Sequence, residues 1–227
     1  LKQPSSSEQF ISRCRKTARA LLVGAALSGM ASTSSFASAL DQFKSFVAST
    51  KAAKGEFTQR IVKSDERNNG KLKISNVSSG TFEFARPGKF IWIYQKPYEQ
   101  RLQADGEKLY IYDKDLNQVT VKKLGSALGS SPAAILFGSN DLEKNFTLKE
   151  GGAKDGMEWL QATPKTRDTT FDQIGIGLRN GVPAAMELRD SFGQVSLLSF
   201  TKFEKNPPIA TNQFKFAVPK GADVFEQ

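Results

Sequence analysis

From residue 40 onward apolar and polar positions mostly alternate, so the chain reads as a succession of short strands. One exception opens it. Leu40, Phe43, Phe46 and Val47 recur at helical spacing, with Asp41 placed to cap or charge the first turn and Gly55 to close the helix. Alternation then predicts strands over 57–62, 71–77, 80–85, 90–94, 100–104, 108–113 and 118–122. After an interruption they resume over 146–150, 157–163, 171–179, 183–189, 194–204 and 213–217. The separators carry turn chemistry: the polar stretch 65–70, Arg86-Pro87-Gly88, Asp105-Gly106, the run 113–117, Arg179-Asn180-Gly181 and the run 190–193. Strands of this length joined by hairpin turns form an antiparallel sheet that curls, as a barrel or part of one.

The segment 90–94 departs from simple alternation. Phe90, Trp92 and Tyr94 share one face of the strand, while Ile91 and Ile93 share the other. A strand with one face in water should be polar on that side. This one is apolar on both, so its second face needs an apolar cover, either packed protein or a greasy ligand.

Residues 125–146 break the strand rhythm. Ser131 is placed as an N-cap with Pro132 at the first helical position, and Gly138 stops the turn. The segment is either a connecting helix that plugs the end of the sheet or a lid, which glycines 125, 129 and 138 would allow to move as a unit.

Composition narrows the chemistry. The formal net charge is +9, but residues 1–39 hold five cations against Glu8, which leaves +5 spread along the rest. Without a cluster of cations interleaved with aromatics, nucleic acid is a poor partner. Arg13, Arg15, Lys16 and Arg19 precede the apolar stretch 20–27, and Ala37-Ser38-Ala39 offers a small-x-small site. Residues 1–39 therefore read as a signal peptide cut after Ala39, with one domain over 40–227. The stretch is too short to span a bilayer and no second one follows, so no stable membrane insertion is expected. The single cysteine, Cys14, precedes the apolar stretch, so the exported protein would carry no lipid, disulfide or thiol. Histidine is absent altogether. Zinc sites, thiol nucleophiles and Ser-His-Asp triads are thereby removed, and no metal or cofactor is implied. Paired carboxylates are the remaining enzymatic option, but Asp105, Asp113 and Asp115 lie in turns, where acidic residues serve the backbone.

Taken in order, several segments resemble the LolA family of periplasmic outer-membrane lipoprotein carriers. They are Phe57-Thr58-Gln59 after the first helix, Arg86-Pro87-x-x-Phe90-x-Trp92, Asp105-Gly106-x-x-Leu109-x-x-Tyr112 and the Ser131-Pro132 helix. Leu160-x-x-Thr163-Pro164-Lys165 and Phe214-x-Phe216-x-x-Pro219-x-Gly221 complete the series. The resemblance covers nearly all of 40–227. It implies a mainly β fold with short α-helices, an incomplete antiparallel β-barrel closed by a helical lid over an apolar cavity. It further implies a non-enzymatic, monomeric periplasmic chaperone. Such a protein accepts acylated lipoproteins from the inner-membrane LolCDE transporter, shields their acyl chains and delivers them to the outer-membrane receptor LolB. The family's Arg-Pro arginine falls on Arg86, which would latch the lid. Phe57, Phe84, Phe90, Trp92, Leu109, Ile135, Leu136 and Phe137 are candidates for the cavity wall, although alternation alone does not fix which face of 90–94 meets the cavity. Two departures stand out: Ala133 and Ala134 are small for a pocket-lining lid, and any extra C-terminal element would be short or missing. The alternative on the same fold is a lipid-sensing or envelope-regulatory binding protein, because fold alone does not select a function.

Overall fold

The computed structural model describes residues 37–65, 71–127, 131–138, 142–166 and 169–227. Most of the predicted export segment, residues 66–70 of the predicted loop 65–70 and glycine 129 lie outside the described residues.

Helix α1 (Ala39–Ser49) starts on Ser38, whose Oγ accepts the Asp41 N–H at 3.1 Å. Ser38 is thus the cap, and Asp41 charges the first turn while its carboxylate accepts the Ser38 hydroxyl at 2.8 Å. Two more unpaired amides of that turn, Ala39 and Leu40, donate to the Glu150 carboxylate at 3.0 and 3.1 Å. The helix ends at Ser49, six residues before Gly55, which lies inside the first strand instead of closing the helix. A Cβ on Gly55 would stand 2.7 Å from the Phe82 ring, so glycine is there to let that ring lie on the strand.

Twelve strands follow: β1 (Ala52–Asp65), β2 (Lys71–Ala85), β3 (Lys89–Lys96), β4 (Gln100–Asp105), β5 (Lys108–Asp113) and β6 (Gln118–Lys123). Then come β7 (Phe146–Lys154), β8 (Met157–Pro164), β9 (Phe171–Arg179), β10 (Val182–Asp190), β11 (Val195–Lys205) and β12 (Asp223–Glu226). They form one sheet in the order β12-β6-β5-β4-β3-β2-β1-β11-β10-β9-β8-β7, antiparallel throughout except that β12 runs parallel to β6. Inner-face residues from both halves, such as Phe90 on β3 and Ile176 on β9, belong to one core together with Phe43 and Phe46 of α1. The sheet therefore wraps around a shared interior, while its end strands β7 and β12 do not meet: an incomplete barrel.

Two predicted elements differ. The strands 71–77 and 80–85 are one, β2, because the Ser78-Ser79-Gly80 run stays extended instead of turning. The strand expected over 213–217 is a single 3₁₀ turn, Thr211–Phe214, followed by unpaired chain. That C-terminal segment supplies the apolar cover that β3 requires. Phe214 is buried, Phe216 stacks on Tyr110 at 4.6 Å, and Gln103 Nε2 donates to the Gln213 carbonyl at 3.4 Å. Ile91 is buried on that outer face, so the second face of β3 is covered by protein and its first face looks inward. The chain then ends in the short β12, held by Asn117 Nδ2 donating to the Gly221 carbonyl.

The hairpin between β4 and β5 shows what a turn carboxylate does here. Asp105 Oδ1 accepts the N–H groups of Glu107 and Lys108, both at 2.9 Å, and Oδ2 accepts the Tyr110 hydroxyl. Partial burial works to raise its pKa, but the hydrogen bonds from Lys108, Glu107 and Tyr110 outweigh it and the net shift is downward. A carboxylate depressed on folding contributes stability above its unfolded pKa, near 3.9, and loses it as pH falls through the lower folded value. Urea midpoints of wild type and Asp105→Asn are therefore expected to differ at pH 7 and to converge as pH falls below the unfolded carboxylate value of about 3.9. Equal midpoints at neutral pH would show that the ionised carboxylate adds nothing to the turn.

Candidate functional site

The turn after β2 places Arg86 at one end of the barrel, where α1 and the lid segment meet. Its backbone N–H donates to the Lys51 carbonyl at 2.7 Å, which fixes the turn against the end of α1. Its side chain reaches inward. Nε donates to the Thr50 carbonyl and Nη2 to the Leu136 carbonyl, each at 3.2 Å. The guanidinium also lies over two aromatic faces, 5.1 Å from the centre of Phe84 and 5.5 Å from that of Phe46. Burial lowers its pKa to about 10, which leaves it charged at neutral pH. The planar fork suits this task, because two carbonyls in different directions are engaged by one rigid group. Thr50 caps the C-terminus of α1, so both acceptors belong to helical segments joined through one cation.

The segment 131–138 is wound as predicted at its start and differently at its end. Ser131 Oγ accepts the Ala134 N–H at 3.0 Å, the expected cap. After Ala133 the chain widens into one π-helical turn, Ala134–Gly138. Ala133 through Phe137 are all buried, and the small Ala133 and Ala134 allow the turn to sit close on its neighbours. Phe137 stacks on Phe84 at 4.2 Å between ring centres, nearly parallel, and on Phe82 at 5.6 Å.

From that contact an aromatic column runs along the inner face. Phe82 stacks on Trp92 at 6.0 Å, Trp92 on Phe57 at 4.0 Å, and Phe57 meets Tyr94 edge-on at 5.2 Å. Strand register produces this: Phe82 is opposite Trp92 and Phe84 opposite Phe90 across β2 and β3, so all four face inward. Leu109 lies opposite Ala104, which in turn lies opposite Phe90, so it extends the same face. Phe57, Phe84, Phe90, Trp92, Leu109, Ile135, Leu136 and Phe137 thus fall in one buried cluster. The rings themselves occupy the interior, packed as a core.

Sequence reasoning missed Phe82, although its spacing from Phe84 already put both on one face. It also missed a polar group further along the inner face, where the Tyr94 hydroxyl donates to Gln59 Oε1 at 2.8 Å and Gln59 Nε2 to Ser196 Oγ at 3.4 Å. No composition signal marks these three, which come together only through the pairing of β1 with β2 and β11. Beside α1, short helix α2 (Leu124–Ala127) precedes the lid and α3 (Leu142–Asn145) follows it. Between α1 and α3 lies an apolar groove of about 190 Å³ lined by Leu40, Phe43, Val47, Leu142 and Leu148. It is bridged by Lys44 and Glu143 at 2.9 Å.

The model of the family described as outer membrane lipoprotein carrier protein LolA matches residues 48–217. An outer-membrane lipoprotein carrier protein of Cupriavidus necator is 63% identical over 191 residues, 84% of this chain and 89% of that one. Its namesake in Ralstonia nicotianae is 56% identical over 191 residues, 84% of this chain and 88% of that one. Among solved structures, a LolA superfamily protein from Nitrosomonas europaea aligns with a TM-score of 0.49 at 11% identity, over 80% of this chain and 99% of that chain.

Proposed function

Because this chain belongs to the LolA family of outer membrane lipoprotein carrier proteins, we propose that it ferries acylated lipoproteins across the periplasm as a monomer. It takes them from the LolCDE transporter and passes them to the receptor LolB, without catalysis. The observation that carries this reading is Arg86 joining the lid to α1 at the mouth of an aromatic interior. An acyl chain exposed to water costs about 0.8 kcal/mol per CH₂, so a carrier needs an apolar compartment. A carrier without its own energy source must also let go. An interior that fills itself with stacked rings when empty meets both needs, since each acyl segment displaces ring contacts that re-form on release. Net affinity is then a modest difference between two packed states. The lid carbonyl held by Arg86 is freed when the lid swings out, and its recapture drives closure behind the departing cargo.

The decisive test supplies inner-membrane vesicles, LolCDE and ATP and asks whether lipoproteins appear in the soluble fraction bound to this chain. With an active transporter, absence of release overturns the reading.

The same reading makes the N-terminal segment an export signal. The spacing of small residues alone points to cleavage after Ala39, but the packing supports the bond after Ala37, preceded by Ser35-Phe36 as an equally small-x-small site. Cutting after Ala39 removes the Ser38 cap, worth about 1 kcal/mol, and the Ala39 methyl group. Ala39 is fully buried. N-terminal sequencing of the protein recovered from the periplasm is expected to begin at Ser38. A product beginning at Leu40 overturns this assignment, and an uncut chain overturns the export reading itself.

A further inference from the structure

Trp92 is 1% exposed, and its indole N–H finds no hydrogen-bond partner among the described residues. Buried donors left unpaired are uncommon and costly, and stacking between Phe57 and Phe82 prevents this ring from turning to find one. The surroundings on that side are polar. Tyr94 follows two residues later on the same face of β3, with its hydroxyl on Gln59, and Gln59 reaches Ser196. The Trp92 N–H lies near enough to the Tyr94 hydroxyl to oppose the upward push of burial on its pKa, yet outside hydrogen-bond geometry. An apolar column of rings thus ends at a donor-bearing corner.

We propose that the Trp92 N–H, with the Tyr94 hydroxyl and the Gln59 carboxamide, is a hydrogen-bonding subsite for the ester carbonyl of an acylglycerol group. The inference rests on the carrier reading and specifies what that interior recognises beyond length of hydrocarbon. An alkyl chain offers nothing to an indole N–H. An ester carbonyl is an acceptor with no donor of its own, which matches a donor-only group, and the second Gln59 amide hydrogen, oriented by Tyr94 and not used on Ser196, is a further donor. In the closed, ring-filled form the indole donor is unpaired; in the loaded form it is paired. The bond therefore favours loading with acyl esters over other greasy molecules.

The test compares 1,2-dioctanoylglycerol with 1,2-dioctylglycerol, its diether of equal chain length that lacks both carbonyls. Each displaces an anilinonaphthalene sulfonate probe from the intact domain. Wild type is expected to bind the diester about tenfold more tightly, the range of one or two neutral hydrogen bonds. Trp92→Phe is expected to cut that ratio below about twofold, and Tyr94→Phe to lower it by about threefold. Because the ratio is taken within each protein, a general loosening of the variant does not imitate the effect. If Trp92→Phe fails to fold, Tyr94→Phe carries the same measurement. Equal binding of both lipids by wild type, or an undiminished ratio in the variants, overturns the subsite alone. Binding of neither lipid by wild type overturns the carrier reading with it.

Discussion

Replacing Arg86 by leucine is expected to leave the strand core folded and lipoprotein uptake intact, while slowing delivery to the acceptor by about a hundredfold. Two charge-assisted bonds to the Thr50 and Leu136 carbonyls are lost together, each worth about 1.5–3 kcal/mol before relaxation and water replace part of it. On the proposed latch role, the loss falls on the closed, empty form, where both bonds exist. The open, loaded form becomes comparatively more stable, so cargo is taken up but held. Arg86→Lys should fall between wild type and leucine. A single ammonium keeps the charge and the stem but lacks the fork that spans both carbonyls. The measurement pairs release from inner-membrane vesicles with incorporation into LolB-bearing acceptor vesicles, and records the melting temperature of each variant. If Arg86→Leu loses uptake and delivery alike and melts well below wild type, Arg86 is part of the fold and no latch.

The largest effect on stability is expected at Gly80. A Cβ on this residue would stand 1.8 Å from the Ile93 carbonyl oxygen, which no side-chain adjustment relieves, and 3.0 Å from the Phe57 ring. The pairing of β2 with β3 shifts register at this point, between Ser79 and Gly80, and that close approach sets Tyr94 opposite Gly80. Even alanine must force the two strands apart beside the Phe57–Trp92 stack. Gly80→Ala is expected to cost upwards of about 3 kcal/mol, beyond ordinary overpacking because backbone is in the way. Urea unfolding of the two proteins measures it. A loss under about 1 kcal/mol would mean that the bulge relaxes locally and does not hold the register.

Where the sequence was legible, a single physical signal decided the matter. Asn180-Gly181 turns at positive φ in both residues and joins β9 to β10 as its composition predicts. Ser131-Pro132 starts the lid for the same kind of reason, a cap and a preset φ. Glycine misled where its meaning was spatial. Gly55 looks like a helix stop and Gly80 like the start of a strand, yet both lie inside longer strands, one beneath the Phe82 ring and the other against the Ile93 carbonyl. Partners far along the chain fix such positions, and local composition does not carry them. The arginine was similar. Composition places Arg86 in a turn, but only the folded chain brings Thr50, 36 positions away, and Leu136, 50 positions away, onto its two nitrogens. The two-faced apolarity of β3 was a sound signal with two readings, and the stacking of Phe216 on Tyr110 shows how the C-terminal segment closes the outer one.

If Arg86 latches the lid as proposed, such a protein can change in two separate ways. The two acceptors on Thr50 and Leu136 are both main-chain oxygens. A clasp fastened to the backbone is indifferent to the side chains carried on it. Ile135, Leu136 and Phe137 can be exchanged for wider or narrower residues, reshaping the compartment for other cargo, with the fastening point unmoved. On that reading, what is held and when it is released are written in different chemical groups, and each is open to revision without the other.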